Sequence, residues 1–192
     1  VLSLHGIKAL IFGRHGGKSL YNKLVESSKR VLQLANFISK EMPDATVSFS
    51  SPEAARVSFG LGIPHVCVSD SPHSIAVSKL TIPLSRKLIT SKFIPLKEWL
   101  KFGIRKEDVV RYKAIDQYAW IKDFKPDPRV LGRLGLDTDE KIVVIREIES
   151  FASYVNSEEL KSLEIAKEIV NRIGDVKVII IPRYEEQIVK MK

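Results

Sequence analysis

Short apolar runs alternate with longer amphipathic stretches along most of the chain, and turn residues separate them. Residues 1–5 read as the end of a helix stopped by Gly6, and residues 8–13 (KALIFG) predict a strand. Leu20, Leu24, Val31, Leu34, Ala35 and Ile38 then recur at the spacing of one helical face. They predict a helix over residues 20–41, ended by Pro43-Asp44. Further short runs predict strands at residues 46–49, 65–68, 87–90, 109–114, 141–145 and 176–181, with helical stretches between most of them. Strand alternating with helix implies the α/β class, in the form of a Rossmann-like doubly wound parallel sheet.

The stretch SFSSPEAARVSFGLGIPHVCVSDSPHS, residues 48–74, is the most informative. Ser50 and Ser51 stand where an N-cap belongs, Pro52 suits the first helical position, and Glu53 complements the helix dipole. Gly60, Gly62 and Pro64 end that helix, and residues 65–68 form the next apolar run. Two strands joined by one helix should be parallel. Ligands of parallel α/β sheets bind outside the carboxyl ends of the strands. Ser50 and Ser51 after one strand, and Asp70 to His73 after the next, should therefore open onto one edge. The competing reading is that the serines and Asp70 only cap helices. His15, Gly16 and Gly17 follow the first predicted strand beside basic residues. They could bring backbone N–H groups to a phosphate or sugar, or simply form a turn.

Lys125-Pro126-Asp127-Pro128 marks a linker. It divides the chain into a first Rossmann-like domain, residues 1–124, whose front end is expected to be truncated, and residues 125–192, the linker and the start of an incomplete second domain. Two strands rarely hold an independent core, so the sequence is expected to be a segment of a longer protein. In the second part, Arg146-Glu147 ends a strand, residues 150–157 form a polar and aromatic loop, and Ser157 caps a helix over residues 158–173.

Composition narrows the class. Hydrophobic residues make up 44% and charged residues 28% of 192 residues, as in globular proteins with a sizeable core. No apolar run reaches membrane-spanning length, and the single Cys67 sits in an apolar strand, where it has no internal disulfide partner and burial argues against a nucleophile; both fit the cytoplasm. Many Lys, Glu and Ile beside few Asn and Gln point toward a thermophile. The net charge of +8 favours anionic partners. The densest basic stretch, residues 97–113, also carries Glu98, Glu107 and Asp108, which reads as a solvated face rather than a nucleic-acid stripe. The histidines lack ligand-like partners at the spacing of a metal motif, so no metal and no resident cofactor is expected.

GRHGG, SSPEAARVSFGLGIP, SDSPH, FKPDPRVLGRLGLD and IVVIRE together resemble a largely archaeal family catalogued as domain of unknown function 354. That family is related to GT-B glycosyltransferases and more distantly to UDP-N-acetylglucosamine 2-epimerases. The resemblance implies two Rossmann-like domains facing a cleft. On that pattern His15, Gly16, Gly17, Ser50, Ser51, Asp70 and His73 line an acceptor side. Arg146, Glu147, Ser153 and Tyr154 open a donor side. The implied co-substrate is a nucleotide-sugar, UDP-linked, and the implied partner a sugar or lipid-linked acceptor; homo-oligomerisation stays open. This chain departs from the pattern in its loop Ser69-Asp70-Ser71-Pro72-His73, where the acid and the histidine stay but the middle differs.

Inverting glycosyl transfer needs a base at the acceptor hydroxyl and groups that stabilise the departing diphosphate. Asp70 or His73 could be the base, and Arg146 could pair with a phosphate or with Glu147 or Glu149. Three functions compete: a nucleotide-sugar glycosyltransferase, a UDP-sugar 2-epimerase-like enzyme, and a non-catalytic basic module that binds anions or nucleic acid on a degenerate transferase fold.

Overall fold

The computed structural model describes residues 2–147 and 161–191. It divides into two compact units, Val1–Asp123 and Phe124–Lys192. The first unit is built on a four-stranded parallel sheet in the order β1-β2-β3-β4, with β1 Thr46–Phe49, β2 His65–Val68, β3 Lys87–Ser91 and β4 Val109–Tyr112. Helix α1 (Leu20–Glu41) precedes the sheet, α2 (Pro52–Gly60), α3 (Ile75–Thr81) and α4 (Lys97–Leu100) connect its strands, and α5 (Asp116–Ile121) follows. The second unit holds α6 (Arg129–Arg133), the parallel pair β5 (Ile142–Arg146) and β6 (Lys177–Ile181), and helices α7 (Lys161–Ile173) and α8 (Glu185–Met191).

Each crossover of the first unit moves one strand further in the same direction. Right-handed connections then place their helices on one sheet face. The core lies on that face: Trp99 of α4 packs with Cys67, Ile82, Leu88, Phe102 and Ile104. The opposite face carries the row Phe49, Val68, Ile89 and Val110, whose outer members Phe49 and Val110 stay exposed.

One local expectation is corrected. Residues 8–13 form no strand. Among the described residues β1 pairs with β2 alone, so no neighbouring strand extends the sheet toward this run, and Leu10 and Ile11 remain exposed. The run is held instead by side chains: Phe12 packs on Phe37 of α1 with ring centroids 5.3 Å apart, and Arg30 donates to the Phe12 carbonyl. Helix α1 forms where expected, but it packs on α2 rather than inserting into the core. Leu20 and Leu24 of its apolar stripe are therefore exposed.

Candidate functional site at the strand ends

Ser50 ends β1 with φ 50°, a left-handed conformation that a side chain adopts at a cost of roughly 1–3 kcal/mol. The turn is held from both ends. The Ser50 N–H bonds the Val68 carbonyl at 3.0 Å, and the Ser50 hydroxyl donates to Ser69 Oγ at 2.7 Å. The loops after β1 and β2 are thus fastened side by side, with Ser69 buried and Asp70 next to it at the same edge. Asp70 Oδ1 accepts from Ser71 Oγ at 2.6 Å, while His73 is exposed just before α3. Ser51 caps α2, accepting from the Ala54 N–H at 3.2 Å, and its hydroxyl donates to Glu53 Oε2 at 3.2 Å. Capping and edge placement coexist in these serines.

Buried Glu53 also ion-pairs with Arg30 of α1, and that guanidinium donates to the carbonyls of Phe12 and Arg14. One arginine therefore ties the segment leading to His15 to the residue that follows Ser51 by two. Two of the glycines in this segment have structural reasons. A Cβ on Gly16 would lie 2.6 Å from the Lys23 Cα, and Gly17 has φ 69° with its N–H bonded to His15 Nδ1 at 3.0 Å. Arg30→Ala is expected to destabilise the protein by about 2 kcal/mol, because it leaves the Glu53 carboxylate buried without its cation. Limited proteolysis should then cut faster near residues 13–17. Unchanged urea unfolding and unchanged cleavage would remove this tether from the account.

Sequence reasoning missed the other half of the edge. Tyr112 at the end of β4 donates its phenol proton to Asp116 Oδ1. Burial first, then that hydrogen bond and the charges of Asp116 and Asp70, push the phenol pKa up to about 12. Among the described residues Asp116 Oδ2 is buried without a hydrogen-bond partner. The strand-end rule applied to β4 as well as to β1 and β2 points at these residues.

In the second unit Arg146 is exposed at the end of β5, beside Ile181 in the ladder. It forms no ion pair among the described residues. Glu147 is buried: its N–H bonds the Ile181 carbonyl at 2.9 Å, and its own carbonyl accepts from Arg183 Nε at 2.8 Å. This arrangement builds the end of the strand. Ser153, Tyr154, Glu149 and Ser157 lie outside the described residues. No three His, Cys, Asp or Glu side chains gather into a metal-binding group among the described residues.

The family model for "Protein of unknown function (DUF354)" matches residues 1–191. This chain belongs to the DUF354 family. It is 29% identical, over 97% of its length, to the uncharacterised protein MJ0665 of Methanocaldococcus jannaschii, of which it covers 55%. Among solved structures it resembles the UDP co-structure of MnaA from S. aureus, with TM-score 0.69, 17% identity, and coverage of 98% of this chain and 52% of that one. It also resembles a protein from Listeria monocytogenes assigned provisionally as a UDP-N-acetylglucosamine 2-epimerase, with TM-score 0.70, 16% identity and the same coverage. The DUF354 chain thus spans about half the length of the proteins it matches, and its fold is the Rossmann-like α/β fold of those two structures. No helix among the described residues is long and apolar enough to cross a membrane.

Proposed function

We propose that the intact protein is a GT-B-type enzyme that transfers a sugar from a nucleotide-diphosphate donor, UDP-linked, to an acceptor held at the strand-end edge of the first unit. The observation that carries this reading is the strained Ser50 turn, bonded to Ser69 beside the Asp70 carboxylate. A polar, pre-organised strand edge with an adjacent acid suits the binding and deprotonation of a sugar hydroxyl. Asp70 is the base in this scheme, with His73 the neighbouring candidate. Arg146, exposed at the end of β5, supplies positive charge for a departing diphosphate. Nucleotide-sugar enters as co-substrate, and the scheme uses no metal.

A second reading, epimerisation at the sugar C2, is favoured by the likeness to the Listeria monocytogenes protein assigned provisionally as a UDP-N-acetylglucosamine 2-epimerase. One experiment separates the two. Intact protein is incubated with UDP-N-acetylglucosamine in deuterated water and followed by NMR, with and without sugar acceptors. Transfer predicts release of UDP only with acceptor and retention of the C2 proton. Epimerisation predicts deuterium at C2 without acceptor. Asp70→Asn is expected to lower the transfer rate by about 10²–10⁴-fold. If calorimetry with a panel of nucleotide-sugars shows no binding, while nucleic acid binds with steep salt dependence, the basic binding module replaces both readings.

A further inference from the structure

We propose that a pocket between the end of β3 and α5 takes the hydrocarbon chain of a single-chain anionic amphiphile, an alkyl or isoprenyl phosphate, with Lys113 beside its phosphate. The proposal rests on the functional reading above and narrows it, by giving the acceptor's chemical class. The pocket is an open groove of about 510 Å³, lined by Phe93, Lys113, Ala114, Ile115, Tyr118 and Ile121. Apart from Lys113 and the Tyr118 hydroxyl, that lining is hydrocarbon. A free sugar there would leave its hydroxyls largely unpaired, whereas a hydrocarbon chain loses nothing by leaving water. Lys113 is exposed and is the single cation in the lining, so it fixes the sign of the head group.

The walls are fastened to each other. The Ser91 hydroxyl donates to the Ala114 carbonyl, and the Lys92 N–H bonds the Tyr112 carbonyl at 2.7 Å. The Arg111 guanidinium donates to the carbonyls of Lys92 and Ile94. The groove is therefore preformed, which limits the entropy lost on binding. It also adjoins the polar edge. Tyr112 immediately precedes Lys113, its phenol bonds Asp116, and its ionisation is sensitive to the charge of Asp70. An amphiphile with its chain in the groove would keep its head group on the side of the sheet where Ser50, Ser69 and Asp70 converge.

The test is calorimetric titration of the intact protein with hexyl, octyl and decyl phosphate below their micelle concentrations, and with inorganic phosphate. Affinity is expected to rise up to about fourfold for each methylene that enters the pocket, and inorganic phosphate is expected not to bind. Lys113→Glu should weaken every alkyl phosphate by about fivefold or more. Ile115→Asp and Tyr118→Asp, both at side chains more than half exposed (52% and 57%) and so tolerable to the fold, should abolish the dependence on chain length. Affinity independent of chain length, or unchanged in both aspartate variants, overturns the proposal. So does a dimer that dissociates on Ile115→Asp while no amphiphile binds. UDP binding measured in parallel by thermal shift keeps the two readings distinguishable. UDP binding without amphiphile binding overturns the pocket assignment alone. Amphiphile binding without UDP binding supports the pocket and overturns the nucleotide-sugar reading.

Discussion

Trp99→Ala is expected to destabilise the first unit by about 4 kcal/mol, a large fraction of the stability of a domain this size. Trp99 is fully buried and is the largest side chain in the cluster with Cys67, Ile82, Leu88, Phe102 and Ile104. Removing the indole opens a cavity between α4 and the sheet that these neighbours cannot fill without leaving their rotamers. The same indole buries its Nε1 without a hydrogen-bond partner among the described residues. Trp99→Phe removes that unsatisfied donor and keeps most of the ring, so the loss should fall to about 1 kcal/mol. Urea unfolding followed by circular dichroism measures both variants. Equal losses for alanine and phenylalanine would mean that packing of the indole is not what holds this core.

His65→Ala is expected to cost about 3 kcal/mol, through lost packing and orphaned polar groups together. His65 is 1% exposed on β2. Its Nδ1 lies 2.7 Å from Thr46 Oγ1 and its Nε2 3.1 Å from Ser48 Oγ, so it bridges two residues of the neighbouring strand. Thr46 in turn bonds Ser58 of α2 at 2.7 Å, which joins helix, edge strand and inner strand in one buried chain. Burial lowers the His65 pKa below its ordinary 6.5. The ring therefore stays neutral in the fold when the unfolded chain would already be protonated. Unfolded protein binds more protons below pH 6.5, so the stabilisation is complete above that pH and is lost as pH falls toward the depressed folded value. Wild-type stability measured between pH 8 and pH 5 should decline below about 6.5, and this part of the decline should vanish in His65→Leu. A pH profile that is the same in the two proteins would show that His65 is not its source.

These two residues differ in how far the sequence exposed them. Trp99, a large apolar side chain in a short helix, needs no distant partner to be read as a core residue. His65 reads as the opening residue of an apolar run, and its hydroxyl partners come from a strand 17 and 19 positions away. Long-range polar pairs of this kind leave no periodic trace. Arg30 is similar: on α1 it reads as one more solvated base, yet it pairs with Glu53 and holds two carbonyls of the segment before His15. The converse error came from residues 8–13. Apolar and β-prone, they are not a strand, because a strand exists only where a neighbour offers a ladder.

The candidate site divides in the same way. Ser50, Ser51, Asp70 and His73 could be placed from the strand–helix–strand pattern, since parallel pairing forces successive strand ends to one edge. Their joining by the Ser50–Ser69 hydrogen bond could not, nor could the left-handed turn that makes it. Tyr112 and Asp116 were passed over because a strand-end tyrosine and a helix-start aspartate each have ordinary explanations. Only their contact marks them.

By itself the sequence determined the α/β class, the strand and helix order from β1 to β6, the family, and the strand-end serines and acid. Those follow from local periodicity, capping chemistry and the handedness of short crossovers. The tertiary structure alone decided that the crossovers share one sheet face, that Arg30 ties the glycine-bearing segment to Glu53, that His65 is caged by hydroxyls, and that Phe93 after β3 and α5 line an open apolar groove. Each of those depends on which distant side chains meet. That is set by register and packing density across the whole unit, which no local window of the chain encodes.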